Sequence, residues 1–153
     1  MPPVNIGTKL RLWEETGLLP KTSVILHAGI PFLASPKMTG EPLPFDIRLT
    51  MQHTLSEQMS LGYNLGMETG GGDETHFIYT LAPGIEFGKR WYAYAELFGS
   101  IFSGYAEHYA DAGLAFYVCD NSKVDISAGT ALGDYALKNY VSIGFSFRLP
   151  FGK

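Results

Sequence analysis

The chain of 153 residues has one cysteine, Cys119, which excludes an internal disulfide framework and a multi-cysteine zinc site. It has no run of about 18 apolar residues, so no transmembrane helix is encoded. Charge is scarce at 17 % of residues, the net charge is −4, and Lys and Arg form no cluster. That balance argues against a nucleic-acid surface. No segment keeps a helical period, and no linker or low-complexity tract divides the chain. The opening MPPVNIGTK lacks the apolar stretch of a signal peptide, so an exported form would be a mature chain or a portion of a longer one.

Present instead are 18 glycines and 14 % aromatic residues, a mixture suited to many β-strands. In SLGYNLGMETG, Leu61, Tyr63, Leu65 and Met67 share one parity, whereas Ser60, Gly62, Asn64, Gly66 and Glu68 share the other. Strand side chains alternate with period two, so this strand has an oily face and a small, polar one. The pattern recurs near residues 4–14, 23–33, 45–55, 59–69, 75–88, 91–103, 109–119, 123–133 and 139–149. Strands of ~10 residues exceed the ~5–6 usual in globular sheets and match the ~9–11 that cross a bilayer at a tilt. Ser56-Glu57-Gln58, Gly88-Lys89-Arg90 and Asp120-Asn121-Ser122 read as tight turns. LASPKMTGEPLP (Leu33 to Pro44) and GYAEH (Gly104 to His108) read as longer loops.

The oily parity collects Ile6, Leu10 and Leu12, then Val24 and Leu26, Ile47, Leu49 and Met51. It continues through Phe77, Leu81, Ile85, Leu97, Leu114, Val124, Ile126, Val141, Ile143 and Phe145, with hardly a charge. The other parity mixes both charge signs with Tyr and Gly. Its solute-path candidates are Lys9, Arg11, Arg48, Glu68, Glu86, Tyr92, Tyr94, Glu96, Asp111, Tyr117, Asp125 and Arg148. A soluble sandwich would carry Lys and Glu on its outer face and shorter strands. A polar lumen with lipid on the oily side accounts for the pattern better. Trp13, Phe32, Phe45, Phe87, Trp91 and Tyr140, near strand ends, are expected to form interfacial girdles or to pack as ordinary core.

Motifs for chemistry are weak. His53, Ser56 and Glu57 are the residue types of a hydrolase triad, but triads are defined by geometry, and His53 has the oily parity at a strand end. An interfacial histidine is the better reading, with an outer-membrane lipid-modifying hydrolase as the alternative. His27, Asp46 and the lumen carboxylates have no metal-ligand spacing and read as a charge-paired interior, so no metal and no cofactor are expected. ETGGGDE (Glu68 to Glu74) lacks the Gly-Lys-Ser/Thr ending of a phosphate loop and reads as a hairpin turn, and Cys119 marks a strand end. With Lys9, Arg11, Arg48 and Arg148 on the first and last strands and carboxylates on those between, a field across the interior is expected.

The segments IGTKLRLWEETGLLPKTSVILHAGIPFLAS, FDIRLTMQHTLSEQMSLGYNLGMET, FIYTLAPGIEF and VDISAGTALGD…NYVSIGFSFRLP resemble bacterial outer-membrane transporter-like proteins. That group is related to the meta-pathway phenol-degradation family. The resemblance covers nearly the whole chain and implies an outer-membrane β-barrel, with transport inferred from the fold. Such relatives are longer, with a signal peptide and about three further strands ahead of the segment matching Ile6 onward. The expected fold is all-β: a single domain over 1–153, an up-and-down antiparallel transmembrane β-barrel with about nine visible strands. Bacterial single-chain barrels have even strand numbers, so the chain is a C-terminal portion, or strands merge, or another chain completes closure. The expected function is non-enzymatic: a porin-like channel or transporter in the bacterial outer membrane, for a small apolar or aromatic solute. Its expected partners are membrane lipid and that solute, and no nucleic acid. A soluble ligand-binding β-barrel is the remaining alternative and would need the oily parity inside.

Overall fold

The computed structural model describes residues 4–30, 44–69, 75–134 and 138–148. Nine strands follow in chain order: β1 (Val4–Trp13), β2 (Lys21–Ile30), β3 (Phe45–Thr54), β4 (Met59–Thr69), β5 (Thr75–Phe87), β6 (Trp91–Phe102), β7 (Tyr105–Cys119), β8 (Ser122–Ala131) and β9 (Asn139–Phe147). They form one sheet in which each strand lies beside its sequence neighbours, an up-and-down order from β1 to β9. The two ends of that order are not paired with each other among the described residues. The expected strands are therefore present, and the expected closure into a barrel is absent from the described ladder.

Contacts divide the chain into two compact units. One comprises Met1–His53, Gly62–Thr80 and Gly99–Ala106; the other comprises Thr54–Leu61, Leu81–Phe98 and Glu107–Lys153. In the first, β1, β2 and β3 pair so that Leu10, Val24 and Leu49 make one row and Lys9, Ile25 and Arg48 the next. Another polar-parity row is Gly7, His27 and Asp46. The β1–β2 hairpin is pinched by reciprocal Thr16 and Leu19 backbone bonds of 3.0 Å. Gly17 takes φ 60° there, a conformation costly for any residue with a Cβ.

In the second unit, β7, β8 and β9 set Leu114, Ile126 and Ile143 in one row and Phe116, Val124 and Phe145 in another. The row between them is Ala115, Asp125, Gly144, and further rows of that parity are Gly113, Ser127, Ser142 and Asp111, Gly129, Tyr140. Side chains of one parity thus stack across neighbouring strands, which is why a period-two sequence yields two chemically distinct faces.

The burial that these faces would take in a soluble sheet is inverted. Ile143 is 81 % exposed, Val141 72 %, Phe145 70 % and Ile6 65 %. Ala115 is the buried apolar residue of the described chain, whereas Thr22, Ser23 and Ser127 are buried polar ones. Along β8 the polar parity is the sheltered one: Asp125, Ser127 and Gly129 are buried or part-buried between exposed Val124, Ile126, Ala128 and Thr130. An oily parity packed inside, required by the soluble ligand-binding alternative, is not what the described residues show.

Two expectations need correction. Tyr105–His108 is strand rather than loop: β6 and β7 are joined through Ser103 and Gly104, with φ of 44° and 82°. Positive φ at both central residues matches the twist of a two-residue hairpin, so the ladder resumes at Tyr105. Tyr140, expected among the girdle aromatics, lies instead on the polar face with its hydroxyl on Asp111. Phe32, the loop from Leu33 to Leu43 and the glycines Gly70 to Gly72 lie outside the described residues.

Candidate solute path

The solute-path candidates fall into two groups, one in each unit. In the first unit, Asp46 organises the charges. Arg48 on the same strand places Nε 2.9 Å from both Asp46 oxygens, and its Nη2 lies 2.7 Å from Oδ2 and 3.3 Å from Glu68 Oε2. His27 Nδ1 lies 3.3 Å from the same Asp46 Oδ2. Residues two apart on a strand share a face, and Gly66 makes the link to β4 feasible: a Cβ there would crowd Arg48 and the Ile47 carbonyl. Arg11 pairs with Glu14, which also meets Lys21 at 3.6 Å. Of the cations expected on the polar parity, Arg11 and Arg48 are matched locally, whereas Lys9 and Arg148 have no ion-pair partner among the described residues.

An open cavity of about 650 Å³ lies over this face, lined by Gly7, Lys9, Ile25, His27, Asp46 and Arg48. Ile25 interrupts the polar parity and was not legible as a site residue, because a single apolar side chain gives no periodic signal.

In the second unit the signature is a large side chain laid over a glycine. Tyr140 covers Gly129 on β8, and its hydroxyl donates to Asp111 Oδ2 on β7 at 2.5 Å. Tyr94 covers Gly113 and hydrogen-bonds the Ser127 side chain. Tyr92 covers Gly84 and hydrogen-bonds the Ser60 side chain. Asp125 leans over Gly144, its ladder neighbour on β9. Glycine interleaved with tyrosine is therefore a packing device: removing one Cβ lets a phenol lie flat along the sheet and reach the next strand. The rings of Tyr92 and Tyr94 stand 6.2 Å apart, and Glu86, Glu96, Asp111, Tyr117 and Asp125 lie within electrostatic reach of one or other of them. Tyr117 and Arg148, with Lys123 and Ser146, line a further cavity of about 400 Å³ beside the β7–β8 turn.

The residues of the alternative triad have other partners. His53 Nδ1 lies 3.5 Å from Glu15 Oε1, and its Nε2 lies 3.2 Å from the Tyr63 hydroxyl. Ser56 Oγ accepts the backbone amides of Gln58 and Met59 at 3.3 and 3.0 Å, closing its own turn. Among the described residues no group of three His, Cys, Asp or Glu is placed to hold a metal ion.

The fold and this face define an all-β, antiparallel up-and-down protein whose polar side chains shelter on one face of a long-stranded sheet. Residues 2–149 match the model of the family described as "Putative MetA-pathway of phenol degradation", and the chain belongs to that family. No curated protein matches it.

Proposed function

We propose that this chain forms the wall of an outer-membrane β-barrel that passes or binds a small, apolar or aromatic solute and performs no covalent chemistry. One observation carries the reading: the apolar parity is exposed along strands of 9–15 residues, while Arg48, Glu68, Tyr92, Tyr94, Glu96, Asp111, Tyr117 and Asp125 on the other parity are part-buried. In water a continuous apolar face of this kind is an aggregation surface; against hydrocarbon it is the stable arrangement. The family's link to phenol degradation supports an apolar or aromatic solute by analogy. Closing nine up-and-down strands into an antiparallel barrel takes an odd number of further strands, which would satisfy both edges. The test is fractionation of expressing bacteria followed by liposome reconstitution. Sedimentation with outer membrane and conductance or solute flux in liposomes supports the proposal; a soluble protein without detergent overturns it.

A further inference from the structure

We infer that the cavity over β1, β2 and β3 is a subsite for a small aromatic carboxylate. The inference rests on the solute-path reading and specifies its ligand. Two ladder rows form the floor, Gly7, His27, Asp46 and Lys9, Ile25, Arg48, so the apolar Ile25 sits between two cations. The cations are not equivalent. Arg48 is held by Asp46 and Glu68 at 2.7 and 3.3 Å, whereas Lys9 has no counter-ion among the described residues. His27 directs Nδ1 to Asp46, leaving its Nε2 edge over Gly7, where a Cβ would collide with the ring.

A ligand that completes this surface has a flat apolar body for the half-buried Ile25 and one negative charge for Lys9. An aromatic monocarboxylate has both. A neutral phenol leaves the Lys9 ammonium without a counter-ion. A short aliphatic acid leaves Ile25 uncovered. A phosphate dianion would bring a second negative charge towards Asp46 and Glu68, already matched to Arg48. The cavity of about 650 Å³ admits a benzoate-sized molecule with water.

The test is calorimetric titration of the detergent-purified protein with benzoate, phenol and acetate, run beside liposome flux of the same three. Benzoate should bind about tenfold more tightly than phenol or acetate, the worth of one charge-assisted contact. Lys9→Gln should erase the preference for benzoate over phenol and leave phenol unchanged. Ile25→Ser should weaken benzoate and phenol and leave acetate unchanged. Equal binding of benzoate and acetate, or an unchanged benzoate-to-phenol ratio in Lys9→Gln, overturns the subsite. Binding with this pattern but no flux overturns the passage reading and keeps the subsite. Flux without benzoate preference does the reverse.

Discussion

Tyr140 donates its hydroxyl to Asp111 Oδ2 across the intervening strand, its ring lying where a side chain at Gly129 would stand. The other Asp111 oxygen is buried and has no hydrogen-bond partner among the described residues. Tyr140→Phe therefore removes this donor from the carboxylate, and the expected loss of stability is about 1 kcal/mol for a half-buried group. Gly129→Ala should cost about 1–3 kcal/mol, because the new methyl must displace the ring. In a double-mutant cycle the two losses should be strongly non-additive, since the alanine already breaks the hydroxyl contact. Urea unfolding followed by tryptophan fluorescence in micelles reads all four proteins; additive losses would mean that Tyr140 does not lie over Gly129.

The apolar face is tested at Ile143. It is 81 % exposed and lies in a row with Ile126 and Leu114. In water, exchanging so exposed a residue for arginine would change stability by no more than about 0.5 kcal/mol. At mid-bilayer depth the same exchange costs about 2–4 kcal/mol. Ile143→Arg is therefore expected to lose stability on that larger scale in lipid vesicles, and Ser142→Arg, on the opposite parity, to lose much less. Equal effects of the two would contradict a lipid-facing parity.

His53 and Ser56 separate a wall protein from a lipid hydrolase. Ser56 Oγ accepts two amides of its own turn, and His53 sits between Glu15 and Tyr63. Ser56→Ala should lower stability by about 1 kcal/mol through the lost turn bonds. His53→Ala should leave membrane insertion and solute flux unchanged. Neither variant should alter lipid turnover, measured by release of fatty acid from labelled outer-membrane lipid. Turnover in the wild type that disappears with His53→Ala would assign the protein to lipid-modifying enzymes instead.

Strand existence and facing were legible because period-two alternation is local information: each of β1 to β9 carries its own pattern, and most exposed apolar residues within the strands are of the oily parity. The turn at Ser103-Gly104 was less legible, since the polar run after it resembles a loop until two positive φ values are known. At the candidate site the residue types could be read but not their partners. Arg48 meets Glu68 across strands 20 positions apart in sequence, and Tyr140 reaches Asp111 across 29. Register and the glycine between decide such pairs, and neither is visible in one strand alone. Tyr140 was assigned to a girdle for the same reason: its position near a strand end is sequence information, whereas Gly129 beneath it is register information.

Arg48 offers the sharpest test of the charged face. Its guanidinium bridges Asp46 on its own strand and Glu68 on β4, and Asp46 is only 16 % exposed at its side chain. Replacing Arg48 by glutamate removes the cation and adds a third carboxylate beside two that have lost their partner. Electrostatic repulsion among them is screened only in part, because the face is sheltered and the groups lie within the Debye length of about 8 Å at physiological salt. Arg48→Glu should therefore turn the path towards cations: the reversal potential of reconstituted liposomes under a potassium chloride gradient should move to the cation-selective side, most at low salt. Insertion should persist, because a charge on the polar parity meets water and other charges rather than hydrocarbon. Arg48→Gln should move the potential in the same direction by less, since it removes one charge where glutamate changes two. An unchanged reversal potential in both variants, with normal insertion, would mean that permeating ions do not pass the Asp46–Arg48–Glu68 cluster. Loss of insertion with unaltered selectivity in whatever inserts would place Arg48 on the lipid side.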